Sequence, residues 1–256
     1  MKLGFIGTGN MASAIMGGII SKGVIPADEI IGADLFAPGR ERVKEKFGIH
    51  VTADNNEVVE KADVVLLSVK PQFYADVISG IKDKIRPDQI VITIAPGKTL
   101  SWLAEQFGKD VKIVRCMPNT PAMVGEGMTA ACPNEHMTEE EIEYVKTLLS
   151  SFSLVEIVSE KLMDTVTAVS GSSPAYVFMF IEAMADAAVL DGMPRAQAYK
   201  FAAQAVLGSA KMVLDTGKHP GELKDMVCSP AGTTIDAVRV LEECGFRGTI
   251  IDAVQT

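Results

Sequence analysis

Aromatic residues are scarce in this chain, at 6% of 256 residues, while hydrophobic residues make up 48% and are rich in alanine and methionine. Sheet cores lean on aromatic and β-branched side chains, so this balance favours closely packed helices over a β-sandwich. Histidine is nearly missing, with three residues. His50 and His136 read as surface positions and His219, directly before Pro220, as a structural one, which leaves no histidine as an acid–base candidate. The four cysteines, Cys116, Cys132, Cys228 and Cys244, stand far apart and follow neither a disulfide framework nor a metal-ligand spacing. They read as reduced thiols of a cytoplasmic protein without a metal; Cys228 is either a buried inert thiol or one open to oxidation. No basic tract offsets a net charge of −9, which argues against a nucleic-acid partner. Uninterrupted apolar runs are missing as well. Glu182 and Asp186 break the longest, over 176–190, so no membrane span is expected. Residues 1–6, with one lysine and no long apolar core, are not a signal peptide. Repeats and low-complexity linkers are absent, and the length suffices for a substantial core divided between two domains.

What is present starts at residue 3. A short apolar run over 3–6 reads as a buried strand, followed at once by Gly7-Thr8-Gly9-Asn10-Met11-Ala12 and an apolar helical pattern over 15–20. This is the GxGxxA form of a dinucleotide-binding turn. Its first glycine makes the tight turn, its second admits the pyrophosphate, and the small Ala12 permits close helix–strand packing. A second apolar run, 30–33, ends at Asp34, near the spacing expected for an acid that holds the adenosine ribose.

Short apolar runs continue to alternate with helical patterns, at 64–68, 89–94, 112–117, 128–131 and 155–158, which implies parallel strands with crossover helices. A helix over 55–61 has capping residues at its start, and Thr138 with Glu139, Glu140 and Glu141 opens another with an acidic first turn. Three loops fall where the strands would end: Ser68-Val69-Lys70-Pro71, Ile94-Ala95-Pro96-Gly97, and 117–121 with Pro118, Asn119 and Pro121. Their recurrence at one sheet edge favours a cofactor groove over isolated turns. After Val158 the pattern becomes helical, over 161–169, 174–190, 195–215, 220–227 and 233–244. The 195–215 segment places Ala198, Phe201, Ala202, Ala205, Val206, Ser209 and Val213 on one face, and Gly217 closes it. These helices are apolar enough that part of their surface is expected to pack against a second subunit. The fold class is therefore an α/β Rossmann-like dinucleotide-binding domain over 1–159, followed by an all-α substrate-binding and dimerisation domain over 160–256.

The stretch 219–242, HPGELKDMVCSPAGTTIDAVRVLE, carries the substrate half. Pro230, Ala231, Gly232, Thr233 and Thr234 stand directly before an amphipathic helix whose apolar stripe is Ile235, Val238 and Leu241 or Val240. Such a start either leaves its first N–H groups free for a carboxylate or phosphate, or is an ordinary cap by Ser229 or Thr233.

Taken in order, FIGTGNMA, SVKPQ, RCMPNTPA, SGSSPAY and KHPGELKDMVCSPAGTT resemble the landmarks of the pyrroline-5-carboxylate reductase family, over essentially the whole chain. The resemblance implies a Rossmann domain, a helical domain that interlocks with its partner in a homodimer, and in some relatives rings of dimers. It implies reduction of 1-pyrroline-5-carboxylate to proline with NADPH or NADH. The implied cofactor residues are Ile6, Gly7, Thr8, Gly9, Asn10, Met11, Asp34, Asn55, Ser68, Val69, Lys70, Pro71, Ile94, Ala95, Pro96 and Asn119, with the nicotinamide near Asn119. Substrate carboxylate falls to Ala231, Gly232, Thr233 and Thr234, and the Thr234 hydroxyl, near the ring nitrogen, is the catalytic candidate. Three departures from the family pattern are small: Ala231 and Ser173 replace usual glycines, and Pro96 a frequent alanine. A fourth, Asp34, stands where relatives carry a small or hydroxyl residue. Its carboxylate favours the free ribose of NADH, while Arg40 and Arg42 lie close enough to pair with the 2′-phosphate of NADPH. Relatives are also expected to run somewhat past Thr256. The rival readings are a 3-hydroxy acid dehydrogenase, with Lys161 as its acid–base group, and a nucleotide-binding regulator that has lost catalysis.

Overall fold

The computed structural model describes residues 2–256, which form two compact units, the first running to Gly171 and the second Ser172–Thr256. The frame of the first is an eight-stranded sheet: β1 Leu3–Ile6, β2 Ile30–Ala33, β3 His50–Thr52, β4 Val64–Leu67, β5 Ile90–Thr93, β6 Lys112–Pro118, β7 Gly127–Pro133 and β8 Ser153–Ile157. The order is β3-β2-β1-β4-β5-β6-β7-β8. The first six strands are parallel; β7 pairs antiparallel with β6 and parallel with β8. Helices α1 Asn10–Ser21, α2 Ala37–Phe47, α3 Asn55–Lys61, α4 Tyr74–Ile81, α5 Leu100–Phe107 and α6 Glu139–Leu149 connect the strands.

Strands β1, β2, β4 and β5 are buried along their whole length, which is why they read as unbroken apolar runs. Alternation sorts their side chains into two cores. Leu3, Phe5, Leu66 and Ile92 join Ile15, Met16, Ile19 and Phe152 on one side; Ile6, Val65, Leu67 and Val91 join Val58, Tyr74, Leu103 and Phe107 on the other. Strand order reverses between β1 and β4, so the loops after them leave adjacent carboxyl ends, the place where open α/β sheets bind ligands. Seven of the eight strands coincide with the expected runs. β3, unforeseen, is a three-residue edge strand whose His-Val-Thr has no apolar periodicity to announce it.

The segment expected as one helix over 161–169 takes three forms: a 3₁₀ turn Glu160–Leu162, α7 Met163–Val166 and a π-helical turn Thr167–Ser172. Thr167 Oγ1 and Ser170 Oγ each donate to the carbonyl four residues back, at 2.8 and 2.9 Å, and such back-bonding loosens the α-helical ladder. Beyond lie α8 Ser173–Leu190, α9 Arg195–Thr216, α10 Pro220–Val227, α11 Thr233–Glu243 and α12 Phe246–Gln255. α12 is an addition to the expected set; Gly245, in the left-handed region, ends α11 and restarts the chain as a helix. Gly217 closes α9 as expected. Of the expected α9 face, Ala198 and Ala202 are buried and Phe201 is exposed. The expectation that no run is long and apolar enough to cross a membrane is corrected: the helical stretch Glu160–Leu190 meets both criteria by length and composition, because Glu182 and Asp186 do not cancel the many alanines, methionines and phenylalanines around them.

Candidate functional site

The chain turns immediately after β1. Gly7 adopts φ 97°, and a Cβ there would stand 2.7 Å from the Ser68 carbonyl oxygen, so no side chain fits. The Gly7 N–H donates to Ala33 O at 2.7 Å, and Ser68 Oγ donates to Gly7 O at 2.7 Å, tying the turn to both neighbouring strand ends. Gly9 is exposed, with no atom within 4 Å of where a Cβ would stand, and it precedes α1 without any side-chain cap. The first N–H groups of α1 are thus left without a side-chain cap beside an exposed glycine, the arrangement that holds a pyrophosphate. Asn10 is exposed and Met11 half-buried beside them; Ile6 is buried, so only its backbone can face a ligand. A cavity of about 660 Å³ flanks α1, lined by Asn10, Ser13, Arg42, Lys46, Met123 and Glu126 among others.

Thr8 is wholly buried, and Asp34 is the reason. Asp34 Oδ2 accepts from the Thr8 N–H at 2.8 Å and from Thr8 Oγ1 at 3.0 Å, while Oδ1 accepts from the Phe36 N–H at 3.0 Å. Arg40 Nη1 donates to Asp34 O at 2.5 Å and Arg42 Nη2 to Thr8 O at 3.2 Å. Asn55 starts α3 behind Asp54, whose carboxylate caps the helix through the Asn56 N–H at 2.9 Å.

The remaining loops lie at the same sheet edge. Ser68 and Val69 are half-buried, Lys70 is exposed, and Pro71 opens a 3₁₀ turn. Ala95 is buried in the core, whereas Ile94 is half-buried and Pro96 exposed. Asn119 Oδ1 accepts from the Met128 N–H at 2.8 Å and its Nδ2 donates to Ser170 O at 3.0 Å, which fixes the loop after β6 against β7 and the π-helical turn. One amide hydrogen of Asn119 remains for a ligand.

In the second unit, Gly232 immediately precedes α11 and no side chain caps the helix, so neither Ser229 nor Thr233 fills the role considered for it. A Cβ on Gly232 would fall 2.4 Å from Ser229 Oγ, so a larger residue there would have to turn the serine hydroxyl aside. Ala231 before it sits at φ 56°, in the left-handed region where the family's usual glycine is at ease. Thr233 is exposed and Thr234 half-buried. The α11 stripe of Ile235, Val240 and Leu241 is exposed within the single chain. His219 has the structural role expected: its Nδ1 accepts from the Gly221 N–H at 3.0 Å at the start of α10.

A family model described as pyrroline-5-carboxylate reductase dimerisation matches residues 160–256, and one described as NADP oxidoreductase, coenzyme F420-dependent, matches residues 2–97. The pyrroline-5-carboxylate reductase of Escherichia coli (strain K12) is 53% identical over 256 residues, covering 99% of this chain and 94% of that protein. The chain belongs to the pyrroline-5-carboxylate reductase family. The family's member from Methanosarcina acetivorans is 45% identical, with 99% of this chain and 94% of that protein covered. Among solved structures, the pyrroline-5-carboxylate reductase of Coxiella burnetii matches at TM-score 0.92 and 36% identity over 99% of this chain and 94% of that one. A Plasmodium falciparum pyrroline carboxylate reductase with NADP bound matches at TM-score 0.89 and 32% identity, over 100% and 94%.

Three supporting residues were not foreseen. Tyr74, fully buried, donates its hydroxyl to Leu67 O at 2.5 Å and accepts from the Ile94 N–H at 3.3 Å, joining the ends of β4 and β5 beneath two site loops; burial pushes its pKa up. Glu160 Oε1 accepts from the Leu100 N–H at 2.7 Å and from Arg115 Nη1 at 2.8 Å. Arg115 was the available signal, since a lone charge inside the apolar β6 requires a buried partner. Lys161, the acid–base group of the rival dehydrogenase reading, is exposed.

Proposed function

We propose that this chain reduces 1-pyrroline-5-carboxylate to L-proline, the last step of proline biosynthesis, using NADPH or NADH. The observation that carries the reading is family membership over essentially the full length. Two uncapped helix starts, at α1 and α11, fit the two anions the reaction requires. When bound, the nicotinamide cofactor supplies the hydride. The residues that would hold it are the backbone of Gly7–Met11, Asn55, the loops Ser68–Pro71 and Ile94–Pro96, and Asn119. The N–H groups around Gly232, Thr233 and Thr234 hold the substrate carboxylate, with Ala231 shaping the approach. The Thr234 hydroxyl stands at the ring nitrogen, donating to the neutral imine and accepting from the N–H once the imine is protonated. A protonated imine already accepts hydride, so the chain needs no strong acid, in keeping with its lack of a histidine for that role. Positioning is the larger contribution.

The division of labour is a dinucleotide-binding domain over 1–159 and a substrate-binding and dimerisation domain over 160–256. The minimum assembly is a homodimer, with rings of dimers as a further step, working in the cytoplasm on a small molecule without nucleic-acid or membrane partners; the net charge of −9 and the four free cysteines support this. Oxidation of NADPH and NADH, followed by absorbance on adding 1-pyrroline-5-carboxylate to the purified protein, tests the reaction. Proline formed in step with cofactor loss is the expected result; no oxidation with either cofactor would overturn it.

A further inference from the structure

We propose that Asp34 is a positioning residue that locks the glycine turn rather than a ligand of the adenosine ribose, and that Arg40 and Arg42 beside it accept the 2′-phosphate, so that this chain binds NADPH in preference to NADH. The inference rests on the dinucleotide-binding reading above and deepens it. A carboxylate offers about four acceptor positions. Three protein donors already occupy Asp34: the Thr8 N–H and hydroxyl on one oxygen, and the Phe36 N–H on the other. Those donors turn the carboxylate inward, onto a threonine that is itself wholly buried. A ribose that needed this acid would have to displace bonds that set the Gly7–Gly9 turn, and the same bonds offset the negative charge that would repel a phosphate.

The cations stand on the other side of the balance. Arg40 and Arg42 donate to the Asp34 and Thr8 carbonyls, and among the described residues neither forms an ion pair with an acid. Each guanidinium carries five N–H donors, so both retain free donors and an uncompensated charge. Arg40 is half-buried and Arg42 exposed, at the start of α2 immediately after β2, where the adenosine end of a dinucleotide lies in this fold. Two guanidiniums without an acidic partner, around a carboxylate whose oxygens are held by protein donors, form a subsite for a dianion on ribose, not for a bare 2′-hydroxyl.

Binding measurements on the full-length protein separate the two assignments. Titrations of NADPH, NADH, adenosine 2′,5′-bisphosphate and AMP, followed calorimetrically, should show each 2′-phosphorylated ligand bound about tenfold or more tighter than its counterpart. Arg40→Gln/Arg42→Gln should collapse that ratio toward one. Asp34→Asn should weaken NADPH and NADH alike, because it loosens the shared turn. If Asp34→Asn instead weakened NADH alone and strengthened NADPH, Asp34 would be a ribose ligand and the proposal would fail. A wild-type preference for NADH, or a ratio unchanged in the double arginine variant, would overturn it as well. Failure to bind any of the four ligands would refute the dinucleotide reading itself, an outcome distinct from binding with the wrong selectivity.

Discussion

Ala231 is the one non-glycine among the described residues with a positive φ, and it lies one residue before the glycine that introduces α11. Left-handed backbone costs an alanine about 1–2 kcal/mol, partly offset by the greater chain entropy that glycine would lose on folding. Ala231→Gly should therefore stabilise the protein by about 1 kcal/mol, raising the thermal midpoint by about 2–4 °C for a chain of this size. A lowered midpoint in thermal unfolding followed by circular dichroism would show that the loop is not strained. Thr234 is the other residue whose role depends on a single group. If its hydroxyl serves the ring nitrogen, Thr234→Ala should lower kcat about 100-fold with cofactor binding retained, while Thr234→Ser recovers most of the rate. Unchanged turnover in the alanine variant would remove Thr234 from the mechanism and leave the backbone N–H groups as the whole of the substrate site.

Tyr74 and Cys116 act through the elements they join or pack within. The Tyr74 hydroxyl bridges β4 and the residue after β5, and burial raises its pKa above the ordinary 10.0; Cys116, buried in β6, is raised above 9.0 for the same reason. Both groups stay neutral in the folded state while their unfolded counterparts ionise. Their stabilising effect is intact below about pH 9 and is lost as pH rises toward the folded values, at about 1.4 kcal/mol per pH unit for each group once its unfolded form is ionised. Urea unfolding between pH 8 and pH 11 should show this decline, and Cys116→Ala should flatten the part that begins near pH 9. An equal decline in the variant would assign that part to other groups. At neutral pH, Tyr74→Phe should cost about 1–3 kcal/mol, since it strands the Leu67 carbonyl and the Ile94 N–H. Such ties were invisible beforehand, because one tyrosine among apolar neighbours has no pattern. The central strands were legible for the opposite reason: burial on both faces makes them continuous apolar runs, whereas the half-exposed edge strand His50–Thr52 carries no such mark. The glycine turn was readable because backbone geometry there restricts the residue type, as the 2.7 Å approach at Gly7 shows, and the α11 start because a proline, small residues and threonines stand directly before an amphipathic run. The inward turn of Asp34 was not, since spacing alone cannot reveal which donors a carboxylate meets.

At the scale of the molecule, the second unit cannot cover its own hydrophobic surface. Ala185, Ala198 and Ala202 form its fully buried core, while Phe178, Met179, Phe201 and Leu214 are each 60% exposed or more. Three small side chains cannot offset the chain entropy of ordering five helices, which costs about 1–2 kcal/mol per residue in the backbone alone. The missing apolar burial has to come from outside the chain, and the match of residues 160–256 to a dimerisation family model points to a second copy. Folding and association are then one equilibrium, so stability should fall on dilution. The same covering accounts for a helical stretch apolar enough to cross a membrane in a chain with a net charge of −9. Sedimentation equilibrium should give a mass at least twice the 27.3 kDa of the chain. Phe201→Glu places a charge in the exposed α9 face; it should lower that mass and reduce activity in the same preparation, whereas Glu135→Gln, on a surface loop of the first unit, should change neither. A wild-type chain that remains a single copy at micromolar concentration with full helical content and full turnover would mean that the apolar surface of the second unit is covered by something other than itself.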